Sequence, residues 1–140
     1  MSRPATAARR TGRRCGLRVV GLAETGPDAV AAAQRLSPDV AVLDIHLPEI
    51  DGISATYRVR SLAPGTKVIV LAEEEHPYSL LEAFKAGASG YLCTDVTGPE
   101  LVAAVRTVAD GGSVLNQELI GSLLRTLAPR GSTVSWDLAS

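Results

Sequence analysis

Cysteines and aromatic residues are scarce in this chain. Its 140 residues include two cysteines, Cys15 and Cys93, too few for a disulfide framework. Cys93 is expected to be a small core residue, and free thiols fit a reducing cytoplasm. Aromatics make up 4% of the chain, so Val, Leu, Ile and Ala must fill the core, and 46% hydrophobic content is enough to build one. An excess of one charge is missing too. The net charge of -1 offers no general attraction to nucleic acid or to a membrane surface. No apolar run approaches the roughly 18 to 20 residues that span a bilayer. The two histidines, His46 and His76, have no partner at metal-ligand spacing, which argues against zinc. Ser54, Ser79 and Ser89 lack a nucleophile-elbow context, and no Gly-x-Gly-x-x-Gly follows a strand. With no acid/base or nucleophile constellation, the sequence points away from an enzyme.

The amino terminus is basic. Arg3, Arg9, Arg10, Arg13 and Arg14 precede any acidic residue. An export signal would need an apolar stretch after them, and Leu17 to Ala23 is short and interrupted by Arg18 and Gly21. Residues 1–16 are therefore expected to form a disordered basic tail. A phosphate- or nucleic-acid-binding arm and a misplaced start are the alternatives.

From Leu17 onward, short apolar runs alternate with amphipathic segments. Strands are predicted at 17–22, 40–43, 67–71 and 90–93. Helices are predicted at 25–36, 53–62, 78–86 and 99–109, with a further helix from Asn116 to about Leu127. Thr25-Gly26-Pro27-Asp28 opens the first helix, and Gly87 takes the C-cap role in the third. Leu101, Val102, Val105 and Val108 form the expected core-facing stripe of the fourth. One domain over 17–127 follows, with a frayed tail at 128–140. Alternating strands and helices imply a parallel sheet with crossover helices.

The richest stretch is Pro38-Asp39-Val40-Ala41-Val42-Leu43-Asp44-Ile45-His46-Leu47-Pro48-Glu49-Ile50-Asp51-Gly52. An apolar run ends on Asp44, and an acidic loop punctuated by Pro and Gly follows. That places one carboxylate at the carboxyl end of a buried strand, where open α/β sheets keep their chemistry. Glu49 and Asp51 are expected to be turn-forming loop carboxylates.

Four signatures together resemble the receiver domain of response regulators. They are Pro-Asp-Val-Ala-Val-Leu-Asp at 38–44, Leu-Pro-Glu-Ile-Asp-Gly at 47–52, Val-Ile-Val-Leu at 68–71 and Ala-Gly-Ala-Ser-Gly-Tyr-Leu at 86–92. The last, with Val108-Ala109-Asp110-Gly111-Gly112 behind it, is most similar to the subfamily that usually carries a LuxR/NarL-type helix-turn-helix. The resemblance implies a flavodoxin-like (CheY-like) fold. It makes Asp44 the phosphoacceptor, with a histidine kinase as donor. It also implies Mg²⁺, held by an acidic pair, by Asp44 and by the His46 backbone carbonyl.

Several matching positions depart from the pattern. The family's first strand, its acidic pair and its first helix have no counterpart before Leu17. The hydroxyl position after the third strand is Ala72, and the lysine position after the fourth is Thr94. Tyr91 falls where the family places a switching aromatic, and without the hydroxyl it is expected to pack plainly. Mg²⁺ would lose most of its ligand charge without the pair. A slot about 10 Å wide should remain between the strands at 17–22 and 40–43, because strands lie about 4.8 Å apart. Its neighbours would have to close up, accept another chain or leave backbone exposed, as in a truncated or mis-started gene product.

These departures leave two expectations for function. One is a receiver in a two-component phosphorelay with impaired phosphorylation at Asp44. The other is a phosphorylation-independent module that binds a partner, a second copy or another response regulator. Glu73-Glu74-Glu75 could substitute as a metal site, although a solvated charge run ahead of a helix is the plainer reading. About a dozen residues follow Leu127, too few for a helix-turn-helix, so no direct contact with DNA is expected from this chain.

Overall fold

The structure, a computed structural model, describes residues 4–10, 16–73, 77–114 and 125. Five strands and four helices follow one another along the chain. They are β1 (Ala5–Arg10), β2 (Leu17–Ala23), α1 (Gly26–Leu36), β3 (Val40–Asp44), α2 (Gly52–Leu62), β4 (Lys67–Ala72), α3 (Pro77–Ala86), β5 (Gly90–Cys93) and α4 (Gly98–Ala109). The expected helix at 116–127, the tail at 128–140, Cys15, Glu74, Glu75 and His76 lie outside the described residues.

The sheet order is β2-β1-β3-β4-β5. β3, β4 and β5 pair in parallel, as the apolar runs imply. Val40, Val68, Ile69 and Val70 are fully buried, as strands covered on both faces require.

The amino-terminal segment corrects two expectations. Residues 5–10 are not a tail, and the central slot is not vacant. β1 fills the slot and runs antiparallel to both neighbours, with Thr6 opposite Leu22 on β2 and opposite Val42 on β3. Two strand edges with free donors and acceptors offer a complete set of backbone partners to any extended segment. That gain outweighs the weak strand preference of Ala and Arg. The direction follows from the connection. Six residues separate Arg10 from Leu17, and a link that short joins antiparallel strands, whereas a parallel pair needs a crossover of a dozen or more. The short connection therefore dictates the strand's orientation.

Two core layers flank the sheet. On one face, Ala33, Leu43, Val59 and Leu80 pack into a cluster roofed by α1, α2 and α3. On the other, Val40, Val42, Ile69 and Leu71 meet Ala104, Val105 and Val108 of α4. Successive right-handed crossovers in one direction put three helices on the same side, and α4 returns alone on the other. Val102, expected in the core, is exposed, since among the described helices none packs along its flank.

Candidate functional site at Asp44

Asp44 is the last residue of β3 and is buried. Its Oδ1 accepts a hydrogen bond from the His46 backbone N–H at 2.8 Å. The chain then turns sharply, with the Leu47 N–H donating to the Asp44 carbonyl at 3.3 Å and Leu47 buried beneath the loop. Glu49 takes a left-handed conformation, with φ of 70°. His46 is exposed beside the site.

Two helix amino termini brace this loop through glycine. The Gly52 N–H donates to the Ile45 carbonyl at 2.9 Å, and a Cβ on Gly52 would lie 2.3 Å from the Asp44 carbonyl oxygen. The Gly26 N–H donates to the Pro48 carbonyl at 3.0 Å, and a Cβ there would lie 2.1 Å from Ile50 Cγ1. The role of Gly26 was hidden in the sequence, because its partner is 22 positions away. Its only local signal was its place between the cap Thr25 and Pro27.

Asp51 caps α2, as the turn-forming expectation implies. Its Oδ1 accepts the Ile53 N–H at 2.9 Å and the Ser54 N–H at 2.8 Å, and its Oδ2 accepts the Ser54 hydroxyl at 3.0 Å. Burial alone would raise the Asp51 pKa, but the hydrogen bonds from Ser54 and Ile53 outweigh it and hold the carboxyl below its ordinary value.

The sheet brings the other expected positions to the same carboxyl edge. Leu71 pairs with Asp44, and its carbonyl accepts the Ile45 N–H at 2.8 Å. Ala72 follows, buried, and its carbonyl accepts the Thr94 N–H at 2.9 Å. Thr94 therefore sits one strand beyond Ala72. Tyr91 is buried in the three-helix layer. Cys93 is half-buried at the end of β5 rather than a core residue, and its thiol donates to the Glu73 carbonyl at 3.4 Å. Glu73 is exposed.

What lies on the other side of Asp44 is decided by β1. Thr6 stands opposite Val42 at the end of the antiparallel ladder, so the start of β1 is directed toward the edge that carries Asp44. A parallel strand would place the residues that follow it at this edge. The reversed strand instead brings its own start, which carries no carboxylate. Among the described residues, no three His, Cys, Asp or Glu side chains gather as a metal site. A hard divalent cation needs several anionic oxygens. Asp44 with Ala72 on the neighbouring strand, and no second carboxylate gathered beside it among the described residues, does not fit a Mg²⁺ ion of the kind the resemblance implies.

Comparison with known proteins shows the family and the fold. The family model for the response regulator receiver domain matches residues 5–106. The chain is 37% identical over 108 residues to the transcriptional regulatory protein LnrK of Bacillus subtilis (strain 168), covering 77% of this chain and 49% of that protein. It is 36% identical over 121 residues to the DNA-binding transcriptional activator DevR/DosR of Mycobacterium tuberculosis, covering 86% of this chain and 55% of that one. The chain thus spans about half the length of the curated relatives it matches. Among solved structures, the signal receiver domain of NarL from Mycobacterium tuberculosis superposes with a TM-score of 0.65 at 36% identity, over 67% of this chain and 76% of that one. A Burkholderia pseudomallei response regulator solved with a phosphorylated aspartic acid and a calcium ion gives 0.56 at 25% identity, over 64% of this chain and 52% of that one.

Proposed function

Because the chain belongs to the response regulator receiver domain family, we propose that it is a receiver whose Asp44 is an impaired phosphoacceptor. A cytoplasmic histidine kinase is the donor this reading calls for. An Asp44 oxygen would bond to phosphorus as the donor's P–N bond breaks. The attack brings a carboxylate against negative phosphoryl oxygens, so cationic or hydrogen-bonding groups must offset that charge. Thr94 supplies a hydroxyl in place of a cation, and Ala72 supplies no side-chain donor. The observation that carries the reading is the reversal of β1, which directs its own start, without a carboxylate, toward the Asp44 edge. The Burkholderia relative's phosphorylated aspartic acid supports Asp44 as the acceptor position.

The missing carboxylate also favours the second reading, a module that signals by binding without phosphorylation. An amide NMR spectrum with and without beryllofluoride and Mg²⁺, beside an Asp44→Ala control, separates the two. Weak shifts around Asp44, saturating only at high additive and absent in the control, support an impaired acceptor. A spectrum indifferent to the additive supports the binding module. Full saturation at low additive would refute both.

A further inference from the structure

Among the described residues, the face of the sheet that carries α4 is half uncovered. Four strand spacings of about 4.8 Å make the sheet about 19 Å wide, and a helix is about 10 Å across. α4 packs over β4, β3 and β1. What remains over β1 and β2 is a groove one helix wide, with a volume of about 420 Å³. Its floor is small, formed by Thr6 and Ala8, and Val102 and Val105 of α4 form one wall. Leu22 and Val19 are the cross-strand partners of Thr6 and Ala8 and so share their face. They are 65% and 60% exposed, the largest exposures recorded for big apolar side chains among the described residues. Two such residues on one face beside an apolar trough mark a docking surface rather than scattered surface leucines.

We propose that this groove binds an amphipathic helix donated by another polypeptide. The groove lies on a sheet face whose backbone groups are already paired within the sheet. It therefore offers side chains alone, and only a segment that satisfies its own backbone can lie there without loss. α1, α2 and α4 already bury a face on the sheet, and α3 packs against α2. Val114, the last residue described before 125, pairs with Gly90 beside β5, at the edge opposite β2. Arg18 is the one ionisable residue lining the groove, at the end where β2 begins. A helix with its carboxyl terminus and an acidic residue at that end matches both the dipole and the charge. The inference is independent of whether Asp44 accepts phosphate.

Methyl NMR on the full chain tests it. The probe is a synthetic helical peptide of about 15 residues, with leucines spaced i, i+4, i+7 and i+11 and glutamates in its last turn. A scrambled peptide of the same composition is the control. Shifts confined to Val19, Leu22 and Val102 are expected. Val19→Glu and Leu22→Glu should each weaken binding at least about tenfold, with Phe84→Glu, on α3 and the opposite face, unchanged. Exposed positions tolerate these changes, and dispersed amide spectra would verify the folds. The proposal is overturned by no binding, by equal binding of the scrambled peptide or by a free monomer whose Val19 and Leu22 methyls are already shielded from a soluble paramagnetic agent. A homodimer that Val19→Glu dissolves would overturn it too, since the groove would then belong to a second copy.

Discussion

Thr6 stands opposite Val42 in an antiparallel ladder, in the interior of a sheet whose four other strands run in one direction. The reversal is confined to β1, yet it decides what Asp44 has for neighbours and how much of the α4 face is covered.

If β1 holds the sheet together, a residue that cannot join its ladder should be costly. Ala7 pairs with Gly21 on one side and Ala41 on the other. Proline at a central strand position removes a backbone donor, so Ala7→Pro should cost about 3 kcal/mol or abolish cooperative unfolding. Urea denaturation of the two proteins checks this, and an unchanged midpoint would place residues 5–10 outside the sheet.

The bracing of the Asp44 loop is open to the same method. Gly26→Ala and Gly52→Ala force a methyl to within 2.1 Å of Ile50 Cγ1 and 2.3 Å of the Asp44 carbonyl oxygen. Each should destabilise by about 1–3 kcal/mol. Gly65→Ala, whose Cβ meets nothing within 4 Å, should stay within about 0.5 kcal/mol of the parent.

Asp51 should give the stability curve an acid limb. Its folded pKa lies below the ordinary 3.8, so its contribution is present above the unfolded value and is lost as pH falls through the folded one. Asp51→Ala should cost about 1 kcal/mol near neutrality, as lost N-caps do. Asp51→Asn keeps a capping oxygen and should flatten the pH dependence below about pH 4. Thermal melts across that range would show whether the limb belongs to Asp51.

Repairing the two substituted positions should not restore metal-assisted phosphorylation. Ala72→Thr with Thr94→Lys leaves Asp44 without a second carboxylate. Adding Pro4→Asp places one just before β1, at the end of the strand directed toward the Asp44 edge. Intact-mass analysis after exposure to acetyl phosphate and Mg²⁺ should show a phosphoryl adduct in the triple variant and little in the double. An adduct of equal yield in the double variant would show that the missing carboxylate is not limiting.

Much of the fold from Leu17 to Ala109 was legible because its signals are local. Apolar runs marked β2 to β5, and the caps Thr25 and Asp51 stand at the starts of α1 and α2. Asp44 was legible too, since a carboxylate closing an apolar run needs no tertiary knowledge to be noticed. The strand at Ala5–Arg10 was not. Alanines and arginines carry no strand pattern, and the segment is extended because two distant strands need a partner between them. The exposure of Val102 was equally hidden, since periodicity says which residues share a helix face but not what covers it.

The sequence by itself determined the parallel strands, the crossover helices and the place of Asp44 at the end of a strand, because periodicity and capping act within a few residues. Tertiary structure alone decided that residues 5–10 complete the sheet and that they do so in reverse. Those outcomes depend on unpaired backbone in β2 and β3 and on a connection too short for a crossover, which no local pattern in residues 5–10 records.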